Sequence, residues 1–181
     1  MNRDLLLHIC CAVCLIYPLE KLRENGYDVK GFWYNPNIHP YQEYKMRLET
    51  LKNYASMQNL ELIVNDDYDL EGFIRNVVYR ENERCPVCYY MRLKKTVETA
   101  KDLGFNRFTT TLLMSPYQKH DLIFKIGKML ENEYNIEFVY YDYRSEYRTA
   151  INKAKELNLY RQKYCGCIYS EKERYWKGEK K

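Results

Sequence analysis

Apolar and polar positions follow one another along this chain in two kinds of block. Residues 4–11 (DLLLHICC) form an almost unbroken apolar run, the pattern of a strand covered on both faces. Residues 18–25 (PLEKLREN) read as a helix, with Pro18 near its start and Gly26 suited to its carboxyl cap. Residues 28–34 (DVKGFWY) predict a second strand, which breaks at NPNIHP. A long amphipathic helix follows over 41–58, then a strand at 60–64 (LELIV) and a helix near 69–79. After the loop RENERCPVCYY another helix runs to about 103, ended by Gly104. Residues 106–113 (NRFTTTLL) and 136–141 (IEFVYY) predict further strands, separated by a helix at 119–133. Residues 147–157 look helical, and the tail carries YRQKYCGCIYS.

Strand–helix alternation with short loops predicts one α/β domain over 1–181, a parallel sheet with helices on both faces. Right-handed crossovers then place active groups at the carboxyl ends of the strands. Cys10 and Cys11 fall at such an end, and Cys14 lies in the turn that follows. Related folds often carry a glycine-rich phosphate loop there, but no glycine stands between Leu5 and Tyr17. The place suits a ligand; its residues suit metal or sulfur chemistry.

The formal charge of +4 means that a polyanion would need a local basic patch, and twenty tyrosines exceed what a core of 181 residues requires. The apolar amino-terminal run is opened by Asp4, interrupted by His8 and followed by no small-residue cleavage site. It is also too short to span a bilayer, so the expectation is a buried strand in a cytoplasmic protein with no membrane partner. Seven cysteines in that setting point to metal or redox chemistry.

They fall in three groups, CCAVC at 10–14, CPVC at 85–88 and CGC at 165–167. Thiolates are soft donors, and four of them suit zinc or an iron–sulfur cluster. Adjacent thiols such as Cys10 and Cys11 fit one tetrahedral ion poorly but can reach different irons, which favours a cluster. The CGC spacing suits a strained, reducible pair, or else extra metal ligands.

Polar and aromatic groups gather at the same predicted strand ends. The segment FWYNPNIHPYQEYKMR offers Trp33, Tyr34, Asn35, Asn37, His39, Tyr41, Tyr44 and Arg47, groups able to hold an unstacked base and its backbone. TTTLLMSPYQKHD brings Tyr117 and His120, and YYDYRSEYR brings Asp142, Arg144 and Arg148. His8, inside the first strand, reads as a hydrogen-bonded core histidine.

Taken together and in order, HICCAVC, FWYNPNIHPYQEY, RCPVCYYMRL, TTLLMSPYQKH and YRQKYCGCIYS resemble the epoxyqueuosine reductase QueH family along nearly the whole chain. One departure is Val13, where the family motif commonly has proline; no donor atom changes. The resemblance implies a fold related to the adenine nucleotide α-hydrolase-like (HUP) group. It implies reduction of epoxyqueuosine to queuosine at the wobble position of tRNA, the last step of queuosine biosynthesis. It also implies a 4Fe–4S cluster on Cys10, Cys11, Cys85 and Cys88, with Cys165 and Cys167 as a redox-active pair.

Cys14 then remains beside the cluster as a candidate ligand of an additional iron ion. Epoxide deoxygenation consumes two electrons and two protons, so a second centre is expected beside a one-electron cluster. Tyr117, His120 and Asp142 are the candidate proton donors. The anticodon loop of tRNA is expected across the Trp33–Tyr44 loop, with Arg47, Arg144 and Arg148 near phosphates; an electron donor is required. The competing readings are a zinc-stabilised nucleic-acid-binding module, a thiol–disulfide oxidoreductase, and a tRNA sulfurtransferase, which would need the missing glycine-rich loop.

Overall fold

The computed structural model describes residues 3–178. Its strands are β1 (Asp4–His8), β2 (Asp28–Trp33), β3 (Leu62–Val64), β4 (Arg107–Thr110) and β5 (Glu137–Phe138). They form one all-parallel sheet in the order β3-β2-β1-β4-β5. The long helices are α1 (Ala12–Glu24), α2 (Tyr41–Met57), α3 (Leu70–Val77), α4 (Arg84–Asp102), α5 (His120–Tyr134), α6 (Tyr147–Glu156) and α7 (Ile168–Tyr175). Helix α1 packs with α2 and α6, whereas α4 packs with α3 and α5. Right-handed crossovers account for that division, because β1 leads outward to β2 and β3 while β4 returns on the other side.

β1 is the centre of the sheet. Leu6 pairs with Lys30 on one side and Phe108 on the other, and Leu5, Leu6 and Leu7 are completely or almost completely buried. That double coverage is why the segment reads as a continuous apolar run.

The predicted α/β class and every predicted strand are present, but several boundaries differ for physical reasons. The first strand stops at His8, not at Cys11. Ile9 still donates to the Phe32 carbonyl at 2.8 Å, but the Cys10 N–H turns away to Thr111 Oγ1 at 3.0 Å. Helix α1 starts at Ala12, so Pro18 lies inside it instead of opening it. The cap is the Cys11 sulfur, which accepts the Cys14 N–H at 3.2 Å. A thiol cap carries no propensity signal, whereas proline at a helix start does.

β4 stops at Thr110, whose Oγ1 accepts the Leu112 N–H at 3.1 Å and begins a short 3₁₀ turn over Thr111–Met114. CPVC sits in the first turns of α4, not in a loop before it, and the tail contains the additional helix α7.

Helix α5 approaches the sheet most closely at Gly127, where an added Cβ would lie 2.3 Å from Phe138 Cδ1. Phe138 is buried and tilted against Phe108 at 5.1 Å between centroids. Gly127→Ala should therefore destabilise the fold by roughly 1–3 kcal/mol through overpacking, measured by urea unfolding. Wild-type stability in that variant would show the contact to be loose.

Candidate metal centre

The turn from β1 into α1 gathers three thiols. The Sγ atoms of Cys10, Cys11 and Cys14 all lie within 4.8 Å of one another, and all three residues are buried. Cys10 and Cys11 lie where the chain has just left the sheet after Ile9, and Cys14 returns one helical turn later. Thr111 holds Cys10 twice, accepting its N–H and donating its hydroxyl to Sγ at 3.3 Å. From the tail, Gln162 Nε2 donates to Cys11 Sγ at 2.9 Å and lies 3.7 Å from Cys14 Sγ.

Hydrogen bonds from Cys11 and Cys14, joined by Thr111, hold the Cys10 thiol well below its ordinary range. Burial pushes Cys11 up, and the bond to Cys10 pushes Cys14 up. Within the triad, a negative charge is therefore most favoured on Cys10.

The other four thiols gather at α4 and the tail. Cys88 is buried in α4 and Cys85 half-buried a turn earlier; Cys165 is exposed and Cys167 buried. Burial pushes Cys88 up to about 11, with Cys165 and Cys167 adding to the rise and Arg92 opposing it. Among the described residues, these four do not form a set as tight as the triad.

Asn37 lies beside Cys88. Its Oδ1 accepts two bonds from Arg92, at 2.9 and 2.7 Å, while its buried Nδ2 has no hydrogen-bond partner. The amide favours the Cys88 thiolate. Soft donors, three of them already clustered, and an orphaned buried N–H beside a fourth fit a thiolate-bound metal group.

The tail is fastened by a buried arginine. Arg47 is 2% exposed; its Nε meets Glu43 Oε1 at 2.7 Å, and its two terminal nitrogens donate to the carbonyls of Cys165 (2.9 Å) and Tyr164 (3.0 Å). His39 adds two more ties, donating its N–H to the Gly166 carbonyl at 2.7 Å and accepting the Ile168 N–H on Nδ1 at 3.1 Å. Burial lowers His39 to about 4, so the ring is neutral and able to accept. Gly166 has φ of +148°, and a Cβ there would press on Arg47 and Ile38 at 3.3 Å, which explains the glycine between the two tail thiols.

These contacts correct the expected substrate loop. Trp33 is fully buried and donates to Tyr44 Oη at 3.1 Å, and Tyr44 donates to Asp66 at 2.7 Å. Asn35 donates to the Ile9 carbonyl at 2.9 Å and contacts His8, and Asn37, His39 and Arg47 are engaged as described. Tyr34 is half-buried and stacked on Phe32; Tyr41 alone of the group is well exposed, over Tyr44. The segment is a support for the thiol-bearing turns, because most of its polar groups pair with other interior groups, Asn37 Nδ2 and His39 Nε2 excepted. His8 is the core histidine expected from its position, bonded through Nδ1 to Thr110 at 2.8 Å and lowered to about 4 by burial.

The accessible space lies elsewhere. A cleft of about 850 Å³ is lined by Cys10, Cys14 and Cys165 together. Tyr117, 82% exposed, lines it and meets Tyr147 edge-on at 5.9 Å. The other two proton-donor candidates do not line it. His120 is buried against the Ser115 carbonyl at 3.1 Å and borders a separate depression. Arg144 pairs with Asp142 and holds that carboxyl down at about 2, leaving it an ionised partner and a poor acid. Arg148 is exposed on α6, and Arg144 is committed to Asp142.

Sequence reasoning missed Thr111, Tyr147, Gln162 and the basic rim residues Arg161, Lys163 and Arg174. Of these, Gln162 carried a readable signal, standing three residues before Cys165 in the same motif.

Comparison with known proteins places these motifs. A family model described as epoxyqueuosine reductase QueH matches residues 5–173. The epoxyqueuosine reductase QueH of Dehalococcoides mccartyi is 40% identical over 98% of this chain and 97% of its own length. That of Thermotoga maritima is 34% identical over 93% of this chain and 91% of its own. The Helicobacter pylori relative is 38% identical, and the chain spans 49% of that longer protein. Among solved structures, the U34-tRNA thiolase NcsA from Methanococcus maripaludis with its [4Fe-4S] cluster is similar at a TM-score of 0.60 and 15% identity. The match covers 93% of this chain and 61% of the thiolase, and it shows that the two share a fold.

Removing the tail fastening tests the geometry. Arg47→Ala leaves Glu43 buried without its partner and should cost on the order of 3–5 kcal/mol in urea unfolding. Trypsin should then cut the tail at Arg161 or Lys163 faster than in the wild type. Unchanged stability with unchanged cleavage would refute the fastening.

Proposed function

The chain belongs to the epoxyqueuosine reductase QueH family, and from that premise we propose how its residues perform the reaction. It is an oxidoreductase that reduces epoxyqueuosine to queuosine in tRNA, completing queuosine biosynthesis. No described helix is long and apolar enough to cross a membrane.

The reading assigns a 4Fe–4S cluster to Cys10, Cys11, Cys85 and Cys88. Its support is the buried triad, the strand-end location and the orphaned Asn37 amide beside Cys88. Cys14 is the remaining sulfur through which an additional iron ion could join. When bound, such a cluster supplies electrons singly.

Cys165 and Cys167 form the dithiol of this reading. Closing them into a disulfide releases two electrons and two protons, which balances conversion of the epoxide to an alkene and water. The oxidised pair is then reduced by an electron donor.

The single observation that carries this assignment is the cleft itself, which Cys10, Cys14 and Cys165 all line. Its volume suits a nucleoside. Tyr117 and Tyr147 offer ring faces and hydroxyls to the modified base, and Tyr117 is the proton donor placed to serve the departing oxygen. Arg161, Lys163 and Arg174 line the same cleft and carry the charge that an anticodon backbone needs. The tRNA therefore lies across the tail side of the cleft.

Two cysteine variants of the anaerobically purified protein test the assignment. Cys85→Ala should lose the visible absorption of the cluster. Cys165→Ala should keep that absorption while losing turnover of epoxyqueuosine-containing tRNA. Loss of absorption in the second variant would move Cys165 into the ligand set, and full turnover would remove the dithiol from the reaction.

A further inference from the structure

Gln118 lies in the turn before α5, and its side-chain amide is caught from both ends. Buried Tyr89 stands next to Cys88 on α4, and its oxygen accepts the Lys119 N–H at 3.1 Å. Its own hydroxyl proton goes to Gln118 Oε1 at 2.7 Å. With the amide oxygen taken, Gln118 Nε2 donates to Cys165 Sγ at 3.3 Å. One donor direction therefore runs from the Lys119 backbone through Tyr89 and Gln118 to the tail sulfur. With its oxygen accepting the Lys119 N–H, Tyr89 directs its own proton to the amide oxygen and so fixes the amide.

We propose that Gln118 is a positioning residue for Cys165, presenting an N–H to its sulfur in an orientation set by Tyr89. The donated N–H favours the thiolate form of that sulfur, beside the cleft that Gln118 and Cys165 both line. An amide can be turned either way unless a neighbour selects its face, and here the phenol makes that selection.

The surrounding charges leave room for such a contribution. Cys165 is exposed overall, but the groups packed around its sulfur desolvate it and leave the thiol raised on balance; Cys167 adds to the rise, and the Gln118 bond, Arg92 from α4 and Arg47 from α2 oppose it. Cys88 on α4 also couples to it. The two arginines are already spent on Asn37 and on the Glu43 and tail-carbonyl contacts, whereas the Gln118 amide donates to the sulfur directly.

The inference rests on the reading of Cys165 as a reacting thiol, but its test does not need the tRNA reaction. The reduced full-length protein is treated anaerobically with iodoacetamide, and modification of each cysteine is followed by peptide mass spectrometry across pH. Gln118→Met keeps the side-chain length and removes the N–H; it should slow Cys165 modification about tenfold at neutral pH and move its profile to higher pH. Tyr89→Phe should shift the profile in the same direction, and adding it to Gln118→Met should slow the reaction no further. Unchanged Cys165 modification in Gln118→Met, or equal slowing at Cys85, would overturn the proposal whatever the stability of the variant. Turnover by Cys165→Ala would instead remove the dithiol from the reductase reading and leave the alkylation result standing.

Discussion

At β1 the strand order reverses. β2 leads away on one side and β4 lies on the other, so the crossovers from their carboxyl ends leave over opposite faces and open a crevice between them. The carboxyl end of β1 opens into that crevice. Its pairing partners are both fully engaged up to His8, so the chain must turn at Ile9–Cys10 to leave the sheet. The thiol triad is the consequence of that turn: Cys10 is held by Thr111 from the turn that follows the neighbouring strand β4, and Cys11 caps the helix that begins there. A cluster proposed on these thiols thus rests on the most deeply buried strand of the molecule.

The second half of the site depends on a different force. The tail reaches the crevice through buried, hydrogen-bonded polar groups, with Arg47 and Glu43 at the centre and the Nδ1 of His39 beside them. Burying such groups is unfavourable in isolation, and they are retained where breaking one would leave its partner uncompensated. The cost fixes a single position for residues 160–168, which sets Gln162 against the triad and Cys165 against Gln118. A purely apolar contact would hold the tail without specifying which way its thiols face.

Much of this was legible in the sequence. The central strand announced itself as an apolar run, the alternation of elements gave the parallel sheet, and the cysteine spacings marked all three thiol-bearing segments. What failed has common physical causes. Helix α1 was begun too late because a cysteine cap looks like nothing in composition, and a tolerated internal Pro18 looked like a start. Trp33, Asn35, Asn37 and Tyr44 were read as a substrate face because polar and aromatic residues at a strand end can either face a ligand or satisfy each other inside. Choosing between those outcomes requires the long-range tail contacts, such as Arg47 to Cys165, that no local pattern encodes. Asp142 differs, since its partner Arg144 stands only two residues on; that local pairing makes the candidate acid an ionised partner.

The central claim is that thiols from the β1 turn and from α4 hold one iron–sulfur cluster beside the cleft. Iron X-ray absorption on the anaerobically purified full-length protein addresses it directly. The account predicts iron surrounded by sulfur, together with the iron–iron scattering of a cluster, and loss of that scattering when Cys10 and Cys11 are both replaced by alanine. Iron–sulfur scattering without an iron–iron component, or a metal content of zinc alone, would contradict it.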